Sequence, residues 1–300
     1  MAQLKEIKSR LQSVKSTQKI TTAMMMVASA KLRKTQNIIQ HLYPYEEKLS
    51  QILNMFLNQE EGLSTPFTKK RPVERVAIVA FSSNTGLAGR FNDNIATKLE
   101  SVIDSYLHLG KENILIYTFG AKIAKAVAKM DMHVSKDYSE ESANPSYEFM
   151  QNIANDLMDQ FLNEEIDRVE LIYHHFISKG SQVILQETFL PIELHSGIKS
   201  NLEGVIEKSY DKQLMPDYII EPDRLTIMEK LLPKVLKVKL FTSHVDSVTS
   251  EHAARMTAMQ IANDNADNLI EELTREYNKL RQESITNELL DLIGGSLGKY

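Results

Sequence analysis

The two ends of this chain are free of glycine and carry apolar residues at coiled-coil spacing. The first glycine is Gly62, and no glycine lies between Gly204 and Gly294. Heptads counted from Leu4 and from Met228 each place apolar residues at twelve of sixteen a and d positions. This 3-4 alternation is typical of helices that wind around each other. Because the intervening chain joins the two segments at one end, we expect one long antiparallel two-helix coiled coil formed by both termini.

A few residues interrupt these stripes, and each has an expected consequence. Pro44 removes one backbone hydrogen bond and is expected to kink the first helix. Pro233 is expected to break or kink the first turn of the last helix, so that its uninterrupted part begins there, and Gly294, Gly295 and Gly298 are expected to end it. His252 and Asn263 occupy seam positions, where a polar side chain costs stability but can fix the register of the two helices.

The sequence between these helices predicts a Rossmann-like α/β domain. Short apolar strands alternate with helices, a pattern that indicates a mainly parallel sheet, and the last two strands should form an antiparallel hairpin. The predicted strands are Arg75–Phe81, Asn113–Thr118, Asp167–Phe176 and Gln182–Phe189, and the predicted helices are Phe91–Leu109, Ala121–Lys129 and Tyr147–Leu162. We therefore divide the chain into an N-terminal helix over 1–60, an α/β domain over 61–215 and a C-terminal helix over 216–300.

No catalytic, cofactor-binding or metal site is predicted. The turn SSNTGLAGRF after the first strand holds Gly86 and Gly89, but it lacks both the dinucleotide fingerprint and the lysine of a phosphate-binding loop. A structural turn is therefore favoured over a nucleotide site. His174 and His175 are neighbours on a strand, so their side chains should point to opposite faces and cannot chelate one metal. The chain has no cysteine, which excludes thiol catalysis and disulfides.

Charge and hydropathy narrow the class of partner. The net charge of −5 does not favour binding to nucleic acid. The first thirty-six residues nevertheless hold eight basic side chains against a single acid, Glu6. This face is either simply solvated or turned toward an acidic protein partner. No apolar run is long enough to cross a bilayer and no targeting segment is evident, so we expect a cytoplasmic protein that can dock on a membrane complex.

Four stretches of the chain resemble the gamma subunits of F-type ATP synthases. The N-terminal stretch is MAQLKEIKSRLQSVKSTQKITTAMMMVASAKLRKTQ, and the C-terminal one is SEHAARMTAMQIANDNADNLIEELTREYNKLRQESITNELLDLIGG. Between them, TGLAGRFND is similar to that family's middle turn and EPDRLT to its approach to the last helix. The stretches follow the order of the family, and the resemblance spans the whole chain.

The resemblance implies a non-catalytic rotor subunit, present once per ATP synthase. Its coiled coil would stand inside the ring of three alpha and three beta subunits, and its α/β foot would sit on the membrane c ring beside the epsilon subunit. Proton flow would turn this central stalk and drive the beta catalytic sites through successive conformations. The complex would lie at the cytoplasmic face of the bacterial inner membrane, with this subunit peripheral to it.

The resemblance also implies contact residues. Rotor–stator contacts match Met24, Lys31, Arg33, Arg255, Arg281, Gln282, Thr286 and Glu288, and c-ring contacts match Tyr218 and Glu221. The alternatives are a coiled-coil adaptor or chaperone-like interaction protein, and a nucleotide-using enzyme with helical arms. Because the second helix outruns the seam of the first, its last turns should extend unpaired and enter a socket in another protein.

Overall fold

The computed structural model describes residues 2–58, 65–192, 221 and 223–297. These residues form five α-helices, five strands and three short 3-10 turns. The helices are α1 (Ala2–Asn58), α2 (Phe91–Tyr106), α3 (Ala121–Lys129), α4 (Tyr147–Leu162) and α5 (Arg224–Leu297). The strands are β1 (Val76–Phe81), β2 (Ile114–Phe119), β3 (Val134–Asp137), β4 (Arg168–Ser178) and β5 (Ser181–Leu190).

The five strands form one sheet in the order β3-β2-β1-β4-β5. β1 pairs in parallel with β2 and β4, β2 pairs in parallel with β3, and β4 and β5 form an antiparallel hairpin. This confirms the predicted fold class, including the hairpin. The short strand β3 was not predicted from the sequence, because its four residues VSKD lack an apolar run and only half-bury their first three side chains.

Each face of the sheet carries its own apolar core. On one face, Ile78 of β1 packs with residues of α2 and α3, among them Ile95 and Ile123. On the other face, Val79 packs with residues of α4 and α5, among them Leu157 and Leu240. Alternate residues of β1 thus point to opposite cores, as the pleat of a strand requires. Helices on both faces explain why β1 is apolar throughout.

The chain divides into two compact units, one containing residues 1–30 and 255–300 and the other residues 31–254. In the first unit, the Gln18 side-chain amide donates to Asp267 at 2.5 Å and the Thr21 hydroxyl donates to Asn263. The contacts descend along α5 as they rise along α1, so the two helices are antiparallel. The predicted antiparallel pairing of the two terminal helices is confirmed.

In the second unit, α1 and α5 are packed against each other as well. Leu49 and Leu53 of α1 share an apolar cluster with Met228, Leu232, Val235 and Val238 of α5. These residues are all buried, and they lie on the predicted a and d stripes or directly beside them. The stripe read from the sequence therefore marks the helix contact in this unit too.

The helix boundaries differ from those predicted at two points of α5. The helix begins at Arg224 and continues through Pro233, so the prediction that it starts at Pro233 is wrong. Burial of Leu232 before the proline and of Val235 and Leu236 after it outweighs the cost of about 3 kcal/mol for a proline inside a helix. α5 also passes through the glycine pair at 294 and 295 and ends at Leu297.

Arg71 anchors the segment that leads into β1. Its Nε donates to Asp167 at 2.5 Å, its Nη2 donates to the carbonyls of Phe161 and Ile166, and its guanidinium lies 4.6 Å from the centre of the Phe161 ring. Asp167 also accepts the backbone N–H groups of Glu74 and Arg75, each at 2.9 Å. Burial raises the pKa of Asp167, but these two N–H groups and Arg71 outweigh it and lower the pKa.

Candidate functional site

The turn after β1, where an α/β sheet often binds a nucleotide, is filled by the protein itself. The side chain of Asn84 accepts the N–H of Ala121, and the Ser82 hydroxyl accepts the N–H of Ile123 at 3.0 Å. The carbonyl of Ser83 accepts the N–H of Lys122. The first three backbone donors of α3 therefore bind the turn after β1 and hold it against the start of that helix. This geometry favours the structural turn.

Gly120, between β2 and α3, lies so close to the turn after β1 that no side chain fits there. A Cβ added there would lie 2.4 Å from the carbonyl oxygen of Ser82, and the φ angle of +110° is one that residues with side chains rarely adopt. The close approach brings the end of β1 against the start of α3. Backbone atoms therefore fill the space between the end of β1 and the start of α3.

His174 and His175 lie on opposite faces of the sheet. The ring of His174 stacks on Phe91 of α2 at 4.1 Å between centroids, and burial lowers its pKa to about 4. His175 turns toward α5, where its Nδ1 lies 2.6 Å from Asp246 Oδ2. The two imidazoles therefore cannot share a metal ion, in agreement with the alternation of side chains along β4.

The coiled-coil seam of the first unit contains a polar layer. All predicted a and d positions from Leu4 to Ala28 and from Met256 to Leu280 are buried or half-buried. Within this stripe Asn263 is buried and accepts hydrogen bonds from Thr21 and Thr22. These polar contacts disfavour other registers of the two helices, because a slip of one heptad would place the Asn263 amide against an apolar side chain.

The predicted rotor–stator residues of α1 differ in exposure. Lys31 and Arg33 are exposed, whereas Met24 is half-buried and its neighbour Met26 is exposed. All eight basic side chains of the first thirty-six residues are exposed: Lys5, Lys8, Arg10, Lys15, Lys19, Lys31, Arg33 and Lys34. The basic face of α1 is thus accessible, as both interpretations of the charge pattern require.

Most of the predicted contact residues of α5 lie in its last turns. Arg281, Gln282, Thr286 and Glu288 are all exposed. Arg255 differs from them, because only 9% of its surface is accessible. Of the two predicted c-ring residues, Glu221 is exposed and Tyr218 lies outside the described residues.

The same end of α5 carries exposed apolar side chains. Ile285, Leu289 and Leu290 each expose half of their surface or more. Because Gln18 lies opposite Asp267 and both helices rise equally per residue, α1 has its first residues opposite about position 283 of α5. Among the described residues, the turns of α5 beyond that point lie past the start of α1, as predicted from the lengths of the two stripes.

Sequence reasoning missed a group of charged residues in the second unit. Tyr43 and Glu46 of α1, His175 of β4 and Asp246 of α5 meet there, and Asp246 exposes only 2% of its side chain. One signal was present in the sequence. Glu46 occupies a seam position between apolar residues, where a carboxylate needs a specific partner.

The described residues contain no group of three or more histidine, cysteine or acidic side chains placed to hold a metal ion. Among the same residues, no helix combines the length and the apolar character that a membrane span needs.

Comparison with known proteins gives matches over the full length of the chain. Residues 3–297 match the family model described as ATP synthase. The ATP synthase gamma chain of Phocaeicola vulgatus is 50% identical over 297 residues, which cover 99% of this chain and 100% of that protein. The gamma chains of Bacteroides thetaiotaomicron and Parabacteroides distasonis are 49% and 44% identical, each over 99% of this chain and at least 99% of their own length.

Solved structures agree with the fold. One chain of the Euglena gracilis mitochondrial ATP synthase in rotational state 3 has a TM-score of 0.63 at 20% identity, covering 99% of this chain and 94% of that one. A chain of the rotor of the same enzyme in rotational state 1 has a TM-score of 0.60 at 17% identity, covering 95% and 99%. The match of the family model and the identity to curated relatives, both over the full length, show that this chain belongs to the ATP synthase gamma-chain family.

Proposed function

We propose that this chain is the central-stalk rotor subunit of a proton-translocating F-type ATP synthase. It couples rotation of the membrane c ring to conformational changes at the catalytic sites of the beta subunits, and it is not itself catalytic. The observation that carries this proposal is the identity of about half of all residues to ATP synthase gamma chains from end to end.

The antiparallel helices suit a part that transmits force. Their seam in the first unit is buried or half-buried along its length, and the layer of Thr21, Thr22 and Asn263 favours one register. A pair that cannot slip presents the same side chains at the same height after every turn. Its unequal faces can then favour a different conformation of each surrounding subunit, which is the differential contact that coupling requires.

The proposed contacts of the shaft with the surrounding ring lie on both helices. Arg281, Gln282, Thr286 and Glu288 meet the surrounding ring near the tip of α5, and Arg255 contributes through the small part of its surface that is accessible. Met24, Lys31 and Arg33 meet the beta subunits. The segments of the beta subunits that touch the shaft would carry acidic groups complementary to the two basic side chains. The exposed Ile285, Leu289 and Leu290 enter an apolar socket in the ring, because burying them removes their contact with water.

The contacts to the membrane part lie where the chain passes from the foot to the last helix. Tyr218 and Glu221 are assigned to the c ring, and the epsilon subunit binds beside them. Residues 1–60 and 216–300 serve as the shaft and 61–215 as the foot. One copy works in each complex with the alpha and beta subunits, at the cytoplasmic face of the bacterial inner membrane. We assign the chain no cofactor and no nucleic-acid partner.

The first test is purification of the complex through a tag on this chain. Nucleotide-binding alpha and beta subunits should be recovered with it in a three-to-three-to-one ratio. Recovery of the tagged chain without these subunits would refute the rotor proposal and favour a coiled-coil adaptor.

The second test compares two arginines on the same helix in the assembled complex. Arg281→Ala should lower ATP-driven proton pumping by membrane vesicles several-fold. Arg275→Ala is the matched control, because Arg275 is also exposed and pairs only with Glu271 of its own helix in the contacts described here. Equal pumping in both variants would remove Arg281 from the proposed contacts.

A further inference from the structure

The elements α1, β4, β5 and α5 bring five charged side chains together in the second unit. We call Glu46, His175, Glu187, Lys239 and Asp246 the charge cluster. Lys239 Nζ lies 3.2 Å from Glu187 Oε2, and His175 Nδ1 lies 2.6 Å from Asp246 Oδ2. The backbone N–H of Phe176 donates to Asp246 Oδ1 at 2.6 Å. Glu46 lies close enough to Lys239, Glu187 and Asp246 for their charges to act on its carboxyl group.

Hydrogen bonds tie α1 into this cluster from both sides of one helical turn. The Tyr43 hydroxyl bonds to Asp246 and lies 3.5 Å from His175 Nδ1. Glu46 is hydrogen-bonded to Thr242, whose hydroxyl donates to the carbonyl of Val238 at 2.9 Å. This contact with Thr242 favours the ionised form of Glu46, so it opposes the effect of burial on the same carboxyl group.

The charges of the cluster balance only when two protons are bound. Three carboxylates face one lysine and one histidine. With Glu46 neutral and His175 protonated, the two remaining carboxylates are matched by two cations. Loss of either proton leaves negative charge without a counter-ion in a poorly hydrated place, which is costly. The tyrosines that face the cluster, Tyr43 and Tyr173, stay neutral because burial raises their pKa values.

We propose that the charge cluster is a pH-sensitive joint, which holds α1 against α5 and the β4–β5 hairpin when Glu46 is protonated and loosens when Glu46 ionises. The joint depends on contacts within this chain alone. Only its use, as a control on how firmly the shaft is held in the foot, rests on the proposed rotor function.

The direction of the effect follows from the titration of the groups. Burial raises the pKa of Glu46 from 4.5 to about 7, against the opposing effects of Lys239 and Thr242. A carboxyl whose pKa is raised on folding stabilises the folded state fully below 4.5, and this stability is lost as the pH rises through about 7. Burial lowers the pKa of His175, but its contact with Asp246 outweighs burial and raises the pKa. The stability that protonated His175 contributes is therefore also lost as the pH rises.

The test is hydrogen exchange of the purified full chain at several pH values between about pH 6 and about pH 8.5. Peptides covering residues 40–50, 173–188 and 239–250 report the joint. Each measurement is divided by that of the Glu46→Gln variant at the same pH, which cancels the intrinsic pH dependence of exchange and the contribution of His175. Since one pKa unit is about tenfold in the opening equilibrium, the variant should become about tenfold better protected than the parent across this range.

Two further variants keep the test decisive. Glu47→Gln changes an exposed carboxylate on the next residue of α1 and should follow the parent at every pH. Lys239→Met removes the cation that lowers the pKa of Glu46, so it should move the midpoint of loosening to higher pH even if Glu46→Gln does not fold. Parallel pH profiles for parent and Glu46→Gln, an equal effect of Glu47→Gln, or an unmoved midpoint in Lys239→Met would each overturn the joint. None of these results depends on whether the chain acts as a rotor.

Discussion

Replacing Arg71 by alanine should destabilise the α/β domain strongly. The guanidinium donates to Asp167 and to the carbonyls of Phe161 and Ile166, and it stacks on the Phe161 ring. Its side chain is 17% exposed and that of Asp167 is 11% exposed. Alanine would leave the largely buried Asp167 carboxylate with only its two backbone donors, and it would remove the guanidinium from the Ile166 carbonyl. The Phe161 carbonyl would keep the backbone N–H of Glu164.

The size of the loss follows from these contacts. Removing one partner of a buried ion pair typically costs about 3 to 5 kcal/mol. Because Arg71 and Asp167 both keep some exposure to water, we expect a cost at the lower end, about 3 kcal/mol. Urea denaturation of the purified full chain, followed by circular dichroism, should show this loss in the free energy of unfolding. Arg71→Lys should recover part of it, because an ammonium keeps the charge but cannot reach several acceptors in one plane.

The control and the pH dependence separate this explanation from a general loss of charge. Arg75→Ala removes an exposed side chain nearby and should cost less than about 0.5 kcal/mol. The pKa of Asp167 is lowered on folding, so its stabilisation is present above 3.8 and is lost as the pH falls through the folded pKa. The difference between parent and Arg71→Ala should therefore shrink in acid. A loss below about 1 kcal/mol, or one that is the same at low pH, would refute the argument.

Three other changes probe the turn, the seam and the tip. Gly120→Ala places a Cβ against the Ser82 carbonyl and should cost more than about 2 kcal/mol in urea denaturation of the full chain. Asn263→Leu should leave stability within about 1 kcal/mol but relax the register, so that cysteine pairs introduced into this cysteine-free chain cross-link in more than one register. Leu289→Gln, at a side chain 54% exposed, should leave the isolated chain's stability within about 0.5 kcal/mol yet weaken its assembly with alpha and beta subunits.

Helix existence and strand pairing could be predicted from the sequence because they depend on local periodicity. α3 and α4 begin and end at the predicted residues, and the hairpin turns at Lys179 and Gly180 as expected between two apolar strands. β3 could not be found in this way, since its place in the sheet is given by pairing with β2 and not by its own residues. The continuation of α5 through Pro233 likewise depends on packing that no local pattern contains.

The charge cluster shows a different limit of the same reasoning. A heptad stripe indicates which residues face one partner helix, but it says nothing about what lies on the other sides. Glu46 falls on the stripe and Asp246 falls beside it, yet their common neighbours come from β4 and β5. Such a cluster requires knowledge of which strand passes beneath which helix turn, and this is a property of topology.

Residues 242–253 of α5 are buried on every side, although most of them are polar. The reason lies in their second contact. Ser250 donates to the carbonyl of His174 on β4, and His244 Nε2 lies 2.9 Å from the carbonyl of Ser142 beside α4. A helix that packs against a second helix on one side and against a sheet on the other has no side exposed to water. Thr242, Thr249 and Ser250 donate to backbone carbonyls, and Asp246 belongs to the charge cluster. Substitutions in this segment should therefore be tolerated far less than the equally polar positions of the last turns, which water can solvate.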